Sequence, residues 1–375
     1  MTAVLPGATL GILGGGQLGR MTAMAARTLG YHVHALDPDP SCAARHVVDR
    51  LVVAPFDDAR AAGDLARRCQ VVTLEIEKVS LGALAAAGEH APVRPGLAVL
   101  SIVQDRSRQK AWLREKGFPL GEYRIADSEA SLAAALAELS TPAFVKTAFG
   151  GYDGGGQARA SGPADAAGAW HAVAGPCVVE KALELEAELS VLVARAPSGN
   201  VAVYPTALNH HVNRVLDWSV LPGPLPDEVS RRAVEIASEI AREIQIEGLL
   251  VVELFLTRQG ELFVNELSPR PHNSFHATED ACLTSQFEQV VRAVCDLPLG
   301  ATDAMRPVAI ANLLGDLWLR ERTPAWDAAL ALPGVRLHLY GKRVARPGRK
   351  MGHLSAVGDT PQRAVERVLE ARARL

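Results

Sequence analysis

The sequence predicts an α/β fold of two or three domains, opening on a parallel sheet. Three observations predict it. Strand-like and helix-like stretches alternate through roughly the first hundred residues. From about residue 140 the texture changes to short apolar runs around a glycine-rich loop, and the final seventy or so residues are again β-rich. The length of 375 residues also exceeds one ordinary core, at roughly 150 residues per domain.

The elements follow in order. "ATLGILG" reads as a strand, residues 17–29 as a helix, "YHVHALD" as a strand, 59–68 as a helix and "QVVTLEI" as a strand. That β-α-β-α-β order implies parallel strands joined by right-handed crossovers. After a break at "HAPVRPG", "QDRSRQKAWLREKG" is a charged helix ending at Gly117, with Pro119 just beyond. "PAFVKTAFGGYDGGGQARA" is a strand, a glycine loop and a return strand, and "CVVEKALELEAELSVLVAR" holds two strand-like runs around an acidic connector. Residues 227–245 form an amphipathic helix and 248–267 a hairpin; a helix from Pro361 closes the chain. Boundaries near 105 and 305 divide it into units 1–105, 106–305 and 306–375, with a lid at about 141–185.

Composition narrows the function classes. Apolar residues are 48% and charged residues 22%, the balance of a soluble globular protein. A net charge of −3 offers no footprint for nucleic acid or an anionic membrane. The five cysteines are scattered, with no C-x-x-C pair for zinc or disulfides. With no apolar run of membrane-spanning length and no signal peptide at the start, the cytoplasm is the expected location.

Two glycine-rich loops point to phosphate chemistry. Gly14, Gly16 and Gly19 fit G-x-G-x-x-G between a strand and a helix, with Asp37 after the next strand. The pattern suits a dinucleotide, another phosphorylated ligand, or a structural turn packing helix on strand, and all three stay open. In the second loop, Lys146 lies on an apolar strand four residues before five glycines in the seven positions 150–156. Loop amides and a strand lysine can enclose a polyphosphate, although no G-K-[ST] follows; the alternative is a mobile hairpin tip. "VVEK" then reads as an edge segment offering backbone groups and Glu180 to an adenine or ribose, with Glu188 poised similarly; both are also compatible with solvated connectors.

The carboxylate hairpin is the sharpest feature. Residues 249–256 and 261–267 are strands around the turn "TRQG". With an even-length loop such as Arg258–Gln259, residue 253 lies opposite 264, so Glu253 and Glu266 share a face as diagonal neighbours within roughly 7–8 Å. An odd loop would place them on opposite faces. Two carboxylates on an apolar sheet need a cation to compensate them, and hard oxygens suit magnesium bridging nucleotide phosphates, with Asn265 completing the set. The alternative is a solvated surface pair. The loop that follows, "SPRPHNSFH", is dense in Arg270, His272, Asn273, Ser274 and His276 and reads as substrate-touching, although a lone histidine is more often structural. "GKRVARPGRK" suits a ribose 5′-phosphate or a solvated basic turn.

Taken in order, "GILGGGQLGRM", "QDRSRQK", "FVKT…GGYDGGGQ", "VVEK…EAELSV", "YPTALNHH", "VVELFL…LFVNELSPRPHNS", "SQFEQ" and "HLYGKRVARPGRKMGHL" resemble the ATP-grasp enzymes. Within them they resemble the 5-(carboxyamino)imidazole ribonucleotide synthetases of purine biosynthesis, the ATPase subunit of phosphoribosylaminoimidazole carboxylase. The resemblance implies a Rossmann-like N-terminal domain, an ATP-grasp core with a lid, and a small β-rich C-terminal domain. It implies ATP contacts from Arg106, Lys146, Gly151, Tyr152, Asp153, Gly154, Gly156, Gln157, Glu180, Lys181, Leu183, Glu188, His211, Asn265 and Glu266. Glu253 and Glu266 would hold magnesium, with manganese as the alternative. Aminoimidazole ribonucleotide would lie among Gln17, Leu18, Glu75, Arg270, His272, Asn273, Ser274, Lys342, Arg349 and Lys350, with Lys146, Asp153, Arg270, His272 and Lys350 serving catalysis. The implied chemistry is phosphoryl transfer from ATP to bicarbonate, then carboxylation of the aminoimidazole's exocyclic amine, in a cytoplasmic homodimer without nucleic-acid or membrane partners.

The sequence departs from the family pattern at several positions. Gly155 stands where the lid carries a basic residue, and Phe275 and Arg214 replace glycines. Lys78 ends "EIEK" where the family has asparagine, and Leu208 replaces an acid before Asn209. Competing readings are another ATP-grasp purine enzyme, such as formate-dependent glycinamide ribonucleotide transformylase, and a nucleotide-binding homologue with impaired turnover. A nicotinamide dehydrogenase would use Gly14, Gly16, Gly19 and Asp37, but would leave Lys146 and the Glu253/Glu266 pair without work.

Overall fold

The computed structural model describes residues 2–139, 142–150 and 156–375, so the expected contacts of Gly151, Tyr152, Asp153 and Gly154 lie outside the described residues. The N-terminal strands are β1 (Thr9–Leu13), β2 (His32–Asp37), β3 (Arg50–Val53) and β4 (Val71–Leu74). They form a parallel sheet in the order β3-β2-β1-β4. This is the expected alternation plus one strand. β3 is four half-exposed residues at the sheet edge, too short and too little buried to stand out as an apolar run.

Beyond it come β5 (Tyr123–Ala126), β6 (Ala143–Thr147), β7 (Gln157–Ala160) and β8 (Cys177–Lys181), an antiparallel sheet in the order β5-β8-β6-β7. The expectation that "VVEK" is an edge segment is therefore overturned. β8 pairs on both sides, with β5 and β6, and Val178 and Val179 are fully buried. An apolar run with no polar face belongs inside a sheet, where both ladders consume its backbone groups.

The largest sheet contains β9 (Leu185–Arg195), β10 (Val201–Val203), β11 (Ala207–Val212), β12 (Val215–Leu221), β13 (Gly248–Thr257), β14 (Leu262–Ser268), β15 (Val308–Leu314), β16 (Val335–Leu339) and β17 (Lys350–Val357). Their order is β14-β13-β9-β11-β12-β15-β17-β16, with β10 beside β9. The C-terminal strands thus continue the central sheet through the β12–β15 pairing, and the helix Pro361–Ala373 packs across them. One apolar core runs from Leu10, Ile12 and Val33 of the N-terminal sheet to Leu192, Leu249 and Ile310 of the central one. Side chains of this kind contribute roughly 1.5–3 kcal/mol each when fully buried. That shared core fixes the angle between the sheets and so the walls of the site.

The hairpin register differs from expectation. The turn holds three residues, 258–260, closed by Gly260 N–H donating to Thr257 O at 2.9 Å, with Gly260 at φ +81°. The even-length loop was wrong, and an odd loop alone would have sent Glu253 and Glu266 to opposite faces. Leu254 pairs with Val264, but Glu253 pairs with Glu266, so Asn265 is an extra residue in β14. This β-bulge sets two residues against one and shifts the register once more. The carboxylates end on the same face as a directly opposed pair, closer than the diagonal placement.

Candidate active site

The opened face of β13 and β14, the inner face of the β5–β8 sheet and the start of the first helix enclose a cavity of about 290 Å³. It gathers Gln17, Leu18, Arg106, Lys146, Gln157, Glu180, Lys181, Leu183, Glu188, His211, Glu253, Asn265, Glu266, Arg270, His272, Asn273 and Lys350 of the expected residues.

A string of alternating partners crosses its floor. Glu180 bonds Lys110 through one oxygen at 3.2 Å and Lys146 through the other at 2.6 Å. Lys146 also donates to Asn265 Oδ1 at 3.2 Å, and the Asn265 amide reaches Glu253 at 3.4 Å. Glu253 Oε1 lies 3.0 Å from His272 Nε2. Arg106 meets Glu266 at 2.7 Å, and His211 meets Glu188 at 2.9 Å. Glu180 therefore bridges two lysines in the cavity wall.

Burial alone would raise the Glu180 carboxyl, but Lys110 and Lys146 outweigh it and hold the group at about 2. Burial likewise pushes Glu253 up; the hydrogen bond and charge of His272, aided by His211 and Arg106, reverse that and hold it well below the usual carboxylate range. His211 is raised, because Glu188 more than offsets the burial that disfavours its charged ring. Burial lowers Lys110, against the pull of Glu180. The floor is thus a lattice of ionised groups on an apolar sheet, each held by a neighbour.

The Arg270 loop divides. Arg270, its Nε 3.2 Å from Glu77, reaches the cavity with His272 and Asn273. Ser274 sits behind and fixes His272: its backbone N–H donates to His272 Nδ1 at 3.4 Å and its hydroxyl lies 2.9 Å from the same nitrogen, which leaves Nε2 facing Glu253. Phe275 is fully buried and packs edge-on to Tyr204 at 6.3 Å, directed into the core. His276 is buried with His353 and Tyr340. Glu279, His338 and His353 offer ligand atoms within 4.8 Å of one another, but the two imidazoles lie parallel, 5° apart in angle, with centroids at 4.4 Å. An ion binds imidazole in the ring plane and cannot lie in both planes, so this cluster does not read as a metal centre.

Glu75, Gly156, Lys342 and Arg349 do not line the cavity among the described residues. Glu75 is buried under the first glycine loop, accepting from the Gly16 and Gly19 amides at 2.8 and 2.9 Å, while Asp37 accepts from Gly15 at 2.7 Å. Of the three readings of G-x-G-x-x-G, the structural one fits. The amides that would meet a phosphate donate to the chain's own carboxylates. A Cβ on Gly19 would lie 2.4 Å from the Gly14 carbonyl oxygen, which requires glycine there. Lys342 bonds Gln17 at 2.8 Å and the Lys350 carbonyl at 2.6 Å, tying the C-terminal unit to the first helix. The Arg349 guanidinium donates to Val344 O at 2.6 Å.

Sequence reasoning missed Lys110, Arg214, Phe144, Phe255 and Phe263, which also line the cavity. Lys110 was findable, four residues from Arg106 on the helix Arg106–Glu115 and so on the same face. Phe255 shares a face with Glu253 by the period of two, and Phe263 is its cross-strand partner.

Against this geometry, matches to known proteins are decisive. A ribonucleotide synthetase preATP-grasp domain matches residues 7–104, an ATP-grasp domain 111–287, and a phosphoribosylaminoimidazole carboxylase C-terminal domain 308–367. The N5-carboxyaminoimidazole ribonucleotide synthase of Bacillus subtilis is 40% identical, over 94% of this chain and 92% of its own. The chain belongs to the N5-carboxyaminoimidazole ribonucleotide synthase family. An ADP complex of a synthetase of that family superposes with a TM-score of 0.93 at 42% identity, covering 99% of this chain and 98% of the other. The Aspergillus clavatus enzyme, in complex with ADP and 5-aminoimidazole ribonucleotide, gives 0.90 at 30% identity, covering 98% of each chain. Membership of the family makes the chain an ATP-dependent ligase of the ATP-grasp class, as the sequence resemblance implied.

Proposed function

We propose that the chain uses ATP and bicarbonate to carboxylate the exocyclic amine of 5-aminoimidazole ribonucleotide. The observation that carries the reading is the opposed Glu253/Glu266 pair, facing Lys146 on one side and the Arg270–His272–Asn273 loop on the other.

A bicarbonate oxygen attacks the terminal phosphorus of ATP, the bond to the ADP oxygen breaks, and carboxyphosphate forms. The amine nitrogen then attacks the carboxyl carbon, directly or after release of carbon dioxide. The carbon–oxygen bond to phosphate breaks, and the amine gives up a proton. Phosphoryl transfer depends on positioning and charge stabilisation, and these residues have the means for both. Lys146, held by Glu180 and Asn265, directs an ammonium at the phosphates, and Arg106 adds a guanidinium from the helix side. Gln157, Lys181, Leu183, Glu188 and His211 complete the nucleotide side. Gln17, Leu18, Arg270, His272, Asn273 and Lys350 hold the ribonucleotide, Glu75 and Ser274 hold the loops that present it, and Lys342 and Arg349 brace the basic C-terminal turn.

The donor set fits a hard cation: two directly opposed carboxylates, Glu253 held well below the usual carboxylate range, with the Asn265 side chain beside them. Glu253 and Glu266 would hold a magnesium ion that neutralises phosphate charge. The same reading keeps the division at about residues 105 and 305 and takes the enzyme as a cytoplasmic homodimer.

The test is phosphate release from ATP. Aminoimidazole ribonucleotide with bicarbonate is compared against glycinamide ribonucleotide with formate. Stimulation by the first pair alone is expected; stimulation by the second alone overturns the assignment.

A further inference from the structure

The lid loop carries no cation of its own. Residues 150–156 read G-G-Y-D-G-G-G, so the single charged side chain of the loop is an acid. A loop of this composition offers amides to a polyphosphate but no counter-charge. Four cations of the cavity are held by carboxylates: Arg106 by Glu266, Lys110 and Lys146 by Glu180, Arg270 by Glu77.

Arg214 differs from them. It lies in the tight turn between β11 and β12, where Asn213 and Arg214 both have left-handed backbone, at φ +50° and +68°. Paired positive φ angles are the mark of a type I′ hairpin turn, whose second position strongly favours glycine. A long side chain there strains the backbone. The same turn directs the guanidinium into the cavity mouth, where it donates to the Gln157 carbonyl at 2.8 Å. Gln157 opens β7 and pairs across the ladder with Lys146. Arg214 thus stands beside the lysine strand with a carbonyl, not a carboxylate, as its hydrogen-bond partner among the described residues, and a guanidinium with five N–H donors has further donors to offer an anion.

We propose that Arg214 is a phosphate-binding residue of this chain, supplying from the β11–β12 turn a cationic contact that residues 150–156 do not carry. The inference rests on the nucleotide reading of the cavity. A guanidinium at this mouth meets the phosphates of a di- or triphosphate nucleotide, not its base.

Arg214→Ala, Arg214→Lys and Arg214→Gly are compared with wild type for binding of ATP, ADP and adenosine by calorimetry, for KM of ATP, and for thermal unfolding. A phosphate contact predicts about ten-fold weaker ATP and ADP binding in Arg214→Ala, unchanged adenosine binding, and partial recovery in Arg214→Lys. It also predicts an undiminished melting temperature in Arg214→Gly, because glycine relieves the turn. Equal weakening of all three ligands, or a drop in melting temperature in both Ala and Gly variants, would assign Arg214 to holding β7 and overturn the proposal. ATP and ADP binding unchanged in Arg214→Ala overturns it outright. Failure of wild type itself to bind ATP would instead sink the nucleotide reading.

Discussion

Glu180→Gln tests how the cavity floor is held together. The carboxylate is buried between Lys110 and Lys146, whose side chains are 7% and 9% exposed. Held at about 2 in place of its ordinary 4.5, the group contributes about 3 kcal/mol at neutral pH. Removing one member of a buried ion pair independently suggests roughly 3–5 kcal/mol, since the partner is left buried and unpaired. Here two ammoniums would face a neutral amide and each other. The expected loss is about 3 kcal/mol by urea denaturation at pH 7.5, or several degrees in melting temperature. Because the folded pKa is depressed, this stability is present above about pH 4.5 and lost as pH falls toward 2. With Lys146 no longer fixed, KM for ATP should rise roughly ten-fold. Adding Lys110→Met removes one of the stranded charges and should recover about half of the lost stability. A Glu180→Gln variant within about 0.5 kcal/mol of wild type, or no recovery in the double variant, would refute the reasoning.

Three further outcomes are expected. Glu253→Gln should lower kcat at least 100-fold in the phosphate-release assay, by loss of a charge at the reacting phosphates, and, because its buried carboxylate is held low as that of Glu180 is, it should also unfold several degrees earlier. Gly19→Ala should unfold several degrees earlier, because the new Cβ meets the Gly14 carbonyl oxygen at 2.4 Å and must push the first helix from the sheet. His276 and His353 are fully buried and held neutral well below the usual histidine range by burial, facing His338, Glu279 and Asp280, with Arg336 on Asp280. Neutral in the fold but protonatable when unfolded, they should make stability fall as pH drops below about 6.5. His353→Gln, which keeps a partner for the Tyr340 hydroxyl, should flatten melting temperature between pH 7.5 and 5.5; an unchanged slope counts against this account.

Much of the molecule was legible in the chain itself. Apolar runs separated by glycine and helical stretches gave the parallel N-terminal sheet, since burial on both faces leaves strands no polar period. Glu253, Glu266, Lys146 and the Arg270 loop were recognisable because charged groups on apolar strands are costly unless they serve chemistry. β8 was misread as an edge because an apolar run does not tell which neighbours it has. The carboxylate face was decided only by tertiary structure. Sequence could count residues between Glu253 and Glu266 but not the turn length or the bulge at Asn265, which fall where packing against β9 and the helix Asp227–Glu243 makes them fall. Two shifts of one residue each, a three-residue turn and a bulge, leave both carboxylates on the cavity side. A local reading sees the alternation of faces, while the register is set by which face the core can bury.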